Sequence, residues 1–175
     1  MSRRPNLSLP LLLAVAALLP AAGLALPEDR QQPIHLESVS AEYDQKSGVS
    51  TYQGNVVVSQ GSMRLTADLA KVFLNPNGDV QRMEATGNPA TFRYQPSRDK
   101  PEINGVGQKV EYETASAKVV VTGGARFTQG QDVFTGDRVE YDINLDKVKA
   151  SSDSGNRVRF TIQPKSEPKS GKGGG

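Results

Sequence analysis

The chain has 175 residues, of which 36% are hydrophobic and 23% charged, with 21 Lys and Arg, 19 Asp and Glu, one His and no Cys. The missing cysteine excludes disulfides and a lipid-modified cysteine anchor, and a zinc site on His35 would need three carboxylates or waters, an improbable ligand set. A near-neutral charge argues against nucleic acid, whose binders show a net basic footprint.

Residues 1–25 read as a secretory signal peptide: Arg3 and Arg4, an apolar run Leu7–Leu19, then Gly23-Leu24-Ala25 as a small-x-small cleavage site. The run of about 13 residues is short of the roughly 20 that span a bilayer, which disfavours a membrane anchor. Removal of this segment takes two arginines and no acids, so the remainder carries equal numbers of acidic and basic side chains. Residues 26–33, polar and Pro-rich, are expected to be a flexible lead-in.

From Ile34 to Ile162 apolar and polar residues alternate with period two, as in "VSTYQGNVVVSQ", "AKVFL", "QKVEYE" and "RVRFTI". That is the strand pattern. Turn residues such as "KSG", "SQGS", "NPNGD", "TGG" and "SSDSGN" interrupt it at short intervals. The expectation is an all-β domain over residues 34–162 with about sixteen short strands. Residues 163–175, rich in Pro, Lys, Ser and Gly, are expected to be a disordered tail.

The domain repeats itself. "TYQGNVVVSQGSMRLTAD" at Thr51–Asp68 returns as "VVTGGARFTQGQDVFTGD" at Val120–Asp137, at a constant offset (120 − 51 = 137 − 68 = 69) and without a gap. "GQKVEYETASAKV" at Gly107–Val119 returns as "GDRVEYDINLDKV" at Gly136–Val148, at a shorter offset (136 − 107 = 148 − 119 = 29). Such units bury their apolar faces by stacking on copies of themselves. The alternation assigns Ile34, Leu36, Tyr43, Val56, Val58, Phe92, Tyr112 and Phe127 to the inward row. Each is, by itself, an ordinary core residue. Together they suggest more, because many inward positions are slim Val or Ala and no helix fills the middle. Strands wrapped this way are expected to leave a trough.

Catalytic constellations are missing. A triad would have to use His35, which reads as an outward strand residue. Asp68 and Asp137 recur two residues after a Thr, and the repeat favours a turn role, with carboxylates accepting backbone N–H groups, over a glycosidase pair. "GVG" at Gly105–Gly107 lacks the glycine pattern and the helix of a phosphate loop.

"QPIHLES" at Gln32–Ser38, "YQGNVVVSQGSMRLTAD" at Tyr52–Asp68, "GNPATF" at Gly87–Phe92, "VVVTGGARFTQG" at Val119–Gly130 and "DSGNRVRFTI" at Asp153–Ile162, in this order, resemble the OstA-like family of lipopolysaccharide transport proteins. The resemblance covers nearly all of residues 32–162. It implies an open, twisted β-jellyroll of sixteen antiparallel strands, a periplasmic location, no enzymatic activity and no cofactor. It also implies binding of lipopolysaccharide through its lipid A acyl chains, with Ile34, Leu36, Phe92, Tyr112 and Thr114 at lipid-facing positions. Thr114 stands where the family has a larger apolar residue. Copies are expected to associate head to tail through edges at Ile34, His35 and Leu36 and at Val158, Phe160 and Ile162. LptC at the inner membrane and LptD at the outer membrane are the implied partners. An exported β-solenoid polysaccharide lyase or hydrolase is the alternative from another class, although no basic or carboxylate cluster supports it. A filled β-repeat protein without a ligand is a third.

Overall fold

A computed structural model describes residue 29 and residues 31–153 and 155–164. The expected signal peptide (1–25) and residues 165–175 of the expected tail lie outside the described residues. Among the described residues ten strands form one antiparallel sheet: β1 (His35–Glu37), β2 (Ser40–Asp44), β3 (Val49–Gln60), β4 (Met63–Leu74), β5 (Val80–Tyr94), β6 (Ile103–Glu113), β7 (Lys118–Gln129), β8 (Asp132–Asp142), β9 (Lys147–Ser151) and β10 (Arg159–Thr161). The order is β1-β3-β4-β5-β6-β7-β8-β10, with β2 also on β3 and β9 also on β8.

The expected sixteen short strands resolve into ten for a specific reason. The pairing register of the six long strands, β3 to β8, shifts near their middle: between Gln53 and Val56, Thr66 and Leu69, Thr86 and Ala90, Val106 and Lys109, and Thr122 and Ala125. Each shift is a bulge, which bends a strand without ending it. Six strands counted as halves, with four short ones, give sixteen. Two of the glycines that read as turns, Gly54 and Gly123, lie at these bulges. Gly54 and its repeat mate Gly123 have φ of 82° and 77°, a left-handed conformation that side chains resist.

The bulges lie side by side and fold the sheet into two layers. The first holds β1, the C-terminal halves of β3, β5 and β7, the N-terminal halves of β4, β6 and β8, and β10. The second holds β2, the complementary halves, and β9. Phe127 and Tyr141 show the fold directly. Phe127 pairs in register with Phe134, and Tyr141 with Val119, yet the Phe127 and Tyr141 rings lie 5.4 Å apart across the layers. At the crease Val121 lies over Gly107, where an added Cβ would stand 2.6 Å from its Cγ1.

The repeat also holds at the level of backbone bonds. Leu74 N donates to Gly48 O at 2.9 Å, and their mates in the longer repeat do the same, with Ile143 N donating to Ala117 O at 3.0 Å. In the stretch expected as a loose lead-in, Asp29 is tied to the β3–β4 turn. Its carboxylate accepts from Ser62 N at 3.0 Å and from the Ser62 hydroxyl, and Gln60 Nε2 donates to Gln32 O at 3.1 Å.

Candidate functional site

The two layers enclose an apolar interior, and register places its rows. One row in the first layer reads Leu36, Val58, Leu65, Phe92, Gly105, Phe127, Phe134, Phe160 from strand to strand. One row in the second reads Tyr43, Ser50, Val72, Met83, Tyr112, Val119, Tyr141, Val148. Beside it run Ala41, Tyr52, Ala70, Ala85, Val110, Val121, Val139 and Ala150. Among the described residues no polar or charged residue is buried as a whole.

The rows contain most of the residues singled out by alternation. Val56, Val58, Phe92, Tyr112 and Phe127 are buried in one cluster, and Ile34 and Leu36, half-buried, pack against it. Tyr43 sits in an inward row but on edge strand β2, and is 53% exposed. Thr114 lies in the β6–β7 turn, where its hydroxyl is buried without a hydrogen-bond partner. Sequence reasoning missed Phe134 and Tyr141, although Phe134 is the mate of Leu65 in the longer repeat and Tyr141 the mate of Tyr112 in the shorter one. It also missed Tyr94, which no repeat points to.

Burial grades along the stack. Phe92 and Phe127 on middle strands are 1% exposed, whereas Phe160 and Ile162 at the C-terminal edge are 52% and 64% exposed. The middle of the expected trough is closed in this structure. Its slim side chains allow the layers to approach until they touch: Tyr94 lies 6.5 Å from Tyr141, and Phe127 meets Tyr141. What stays open are the two edges. Phe160 stacks on Phe134 at 4.0 Å on one side and presents its other face outward. Val158 is also exposed there, and His35 is exposed at the opposite edge.

A polar clamp joins the layers on the side away from the crease. Asp146, in the β8–β9 turn of the second layer, accepts from Lys100 Nζ at 2.6 Å and from the Tyr141 hydroxyl at 2.9 Å. Lys100 belongs to the β5–β6 loop of the first layer, and Gln129 at the end of β7 also bonds Asp146. Burial tends to raise the Asp146 pKa, but Lys100, Tyr141 and Gln129 outweigh it and hold the carboxyl below its usual value. Burial first, then the bond to Asp146, push the Tyr141 phenol well up. An acid with a depressed pKa stabilises the fold above its unfolded pKa, and that contribution is lost as pH falls through the folded pKa. Asp146→Asn, which tolerates the local φ of 50°, should therefore melt below the parent protein near neutral pH. The gap should close as pH falls below about 4. Melting curves across that range check this, and a pH-independent gap would contradict it.

Asp68 and Asp137 act at the crease. Asp68 accepts from Asn88 N at 3.1 Å, and Asp137 from Asp153 N at 3.1 Å and Asn156 Nδ2 at 3.3 Å. Among the described residues no group of three or more His, Cys, Asp or Glu is placed to hold a metal ion, and no helix is long and apolar enough to cross a membrane.

Residues 35–147 match the family model described as LptA/(LptD N-terminal domain) LPS transport protein. The lipopolysaccharide export system protein LptH of Pseudomonas aeruginosa is 35% identical over 166 residues, covering 90% of this chain and 95% of that one. The lipopolysaccharide export system protein LptA of Escherichia coli K12 is 37% identical over 164 residues, covering 91% and 86%. A crystal structure of LptH, described as the LptA-homologous periplasmic component of the lipopolysaccharide transport device of P. aeruginosa, superposes with a TM-score of 0.73 at 33% identity. It covers 79% of this chain and 100% of that chain.

Proposed function

The chain belongs to the LptA/LptD N-terminal domain family of lipopolysaccharide transport proteins, and from that premise we propose that it is a periplasmic bridge that shields lipid A acyl chains between its layers and carries lipopolysaccharide from the inner to the outer membrane. The observation that carries this reading is the interior: rows that run from one edge of the sheet to the other, apolar apart from Ser50 near one edge, and exposed at both ends, at Tyr43 and Phe160. An acyl chain in water costs roughly 0.8 kcal/mol per CH₂. A chain of about twelve carbons then costs about 10 kcal/mol. A continuous apolar path between two membranes removes that barrier without any covalent step, so the protein acts as a binder and not as an enzyme.

In this reading Ile34, Leu36, Tyr43, Val56, Val58, Phe92, Tyr112, Thr114 and Phe127 line the lipid path. Entry parts the layers at the clamp side, where side chains hold them and no continuous backbone does. Middle residues then exchange contacts with each other for contacts with acyl chains, which keeps the cost of opening low. Thr114 gives the wall one polar atom near that side.

The edges serve as connectors. A free edge strand offers unpaired N–H and C=O groups, normally a liability; here another copy takes them by strand addition. β1 is antiparallel to β3 and β10 is antiparallel to β8. Six strands alternate from β3 to β8. So β10 of one copy and β1 of the next run antiparallel, and the sheet can continue from copy to copy. The end copies meet LptC at the inner membrane and LptD at the outer membrane. Native mass spectrometry of the protein purified from the periplasm tests the cargo. Bound lipopolysaccharide is expected, and a lipid-free protein that also fails to take up added lipopolysaccharide contradicts the reading.

A further inference from the structure

We propose that charges on the outward faces of the two edges select which edges pair, so that copies stack in one direction and in one register. This rests on the edge-pairing reading above and adds what chooses the pairing. Five outward rows can be followed through the entire sheet, and three of them carry charge at both edges. One begins at Glu37, passes through Val57, Thr66, Thr91, Val106, Arg126 and Thr135, and ends at Arg159. A second begins at Glu42 and ends at Lys149, and a third begins at Asp44 and ends at Lys147. Every one of the three has an acid at the N-terminal edge and a base at the C-terminal edge. The other two outward rows, from His35 to Thr161 and from Ser40 to Ser151, end on neutral hydroxyls at the C-terminal side.

When a second copy continues the sheet with its rows in line, Arg159 faces Glu37, Lys149 faces Glu42 and Lys147 faces Asp44. The inward rows continue in the same register: Phe160 faces Leu36, Val148 faces Tyr43 and Ala150 faces Ala41. A slip of one residue would turn all six contacts to the wrong face. Two N-terminal edges brought together would oppose acid with acid, and two C-terminal edges base with base. Like charges directly opposite on adjacent strands repel.

The middle of the sheet supplies a contrast. On the outer face of the second layer Arg82 pairs with Glu84, Lys109 with Glu84 and Glu111, and Lys118 and Arg138 with Glu140. Those bases are satisfied within the chain. Among the described residues Glu37, Glu42, Asp44, Lys147, Lys149 and Arg159 form no ion pair. On the edge strands themselves the charge without an ion pair is thus of one sign at each side, negative on β1 and β2 and positive on β9 and β10. Open head-to-tail contacts grow as filaments, and this arrangement favours them over closed dimers.

The test uses two double variants: Glu37→Lys with Glu42→Lys, and Lys149→Glu with Arg159→Glu. Asp44 is left in place because its carboxylate holds the β2–β3 turn through Lys46 N and the Ser47 hydroxyl. Circular dichroism melts confirm folding, and sedimentation velocity at rising concentration reads association. The wild-type chain should associate, more weakly at high salt. Each variant alone should associate on the order of tenfold or more weakly, since two attractions become repulsions. An equimolar mixture of the two should recover association, because the reversed N-terminal edge of one fits the reversed C-terminal edge of the other. If wild type and both variants associate equally, the charge selection is overturned while edge pairing stands. If wild type does not associate at any concentration, edge pairing and this proposal fall together. Folded variants whose mixture stays dissociated overturn the pairing of these particular residues.

Discussion

Phe127→Ala should lose about 3–5 kcal/mol of stability in the lipid-free protein, the range for removing a well-packed aromatic ring. The side chain is 1% exposed and lies 6.0 Å from Phe134 and 5.4 Å from Tyr141. Its neighbours come from both layers, and the crease fixes how far they can collapse into the space left behind. The cavity would open onto the path proposed for acyl chains. Lipopolysaccharide should therefore narrow the difference in melting temperature between variant and wild type, because a ligand that binds only the folded state stabilises it. Thermal melts with and without lipopolysaccharide measure both effects. A difference that lipid leaves unchanged would place the lipid outside this interior.

Ending the chain after Asp153 should leave a folded protein that no longer forms chains of copies. The deletion removes β10, whose Phe160 stacks on Phe134 and whose backbone pairs with Val133–Thr135. β9 remains on β8, so the second layer keeps its last strand and the clamp at Asp146 is untouched. The new edge exposes Phe134 and lacks Arg159. Light scattering coupled to size-exclusion chromatography at rising concentration should show a monomer where the full chain grows. Docking to the inner-membrane partner through the N-terminal edge should persist, and docking to the outer-membrane partner should fail. Filaments formed by the truncated protein would mean that β10 is not the connector.

Much of the fold is written locally. Alternation around Val56–Val58, Ala90–Phe92 and Val110–Tyr112 marks which side chains turn inward, because successive residues on a strand face opposite sides. The two repeats report equivalent backbone positions, and the paired bonds at Gly48 and Ala117 agree with them. The number of strands was harder to read. Gly54 and Gly123 carry the same signal in a bulge as in a turn, and only the register of the neighbouring strands shows that the chain runs on. The closed interior was hidden for a related reason. Small residues at Gly105 and Gly107 suggest empty space in one strand, but Val121 from the neighbouring strand occupies it. Lys100 and Asp146 meet through two loops, and no periodicity connects them. The edge charges are plain in the sequence as residue types. That Glu42 and Lys149 close the same row follows only from counting register through six intervening strands.

Neighbouring residues of opposite facing test most directly whether lipid lies between the layers. A photo-crosslinking amino acid at Phe92 or Tyr112, both inward and buried, should capture lipopolysaccharide in growing cells. The same amino acid at Arg93, next to Phe92 but exposed, or at Lys109, whose amine pairs with Glu84 and Glu111, should capture none. Capture at Arg93 and Lys109 with none at Phe92 and Tyr112 would contradict the account, because it would put the lipid on the outer faces of the sheet.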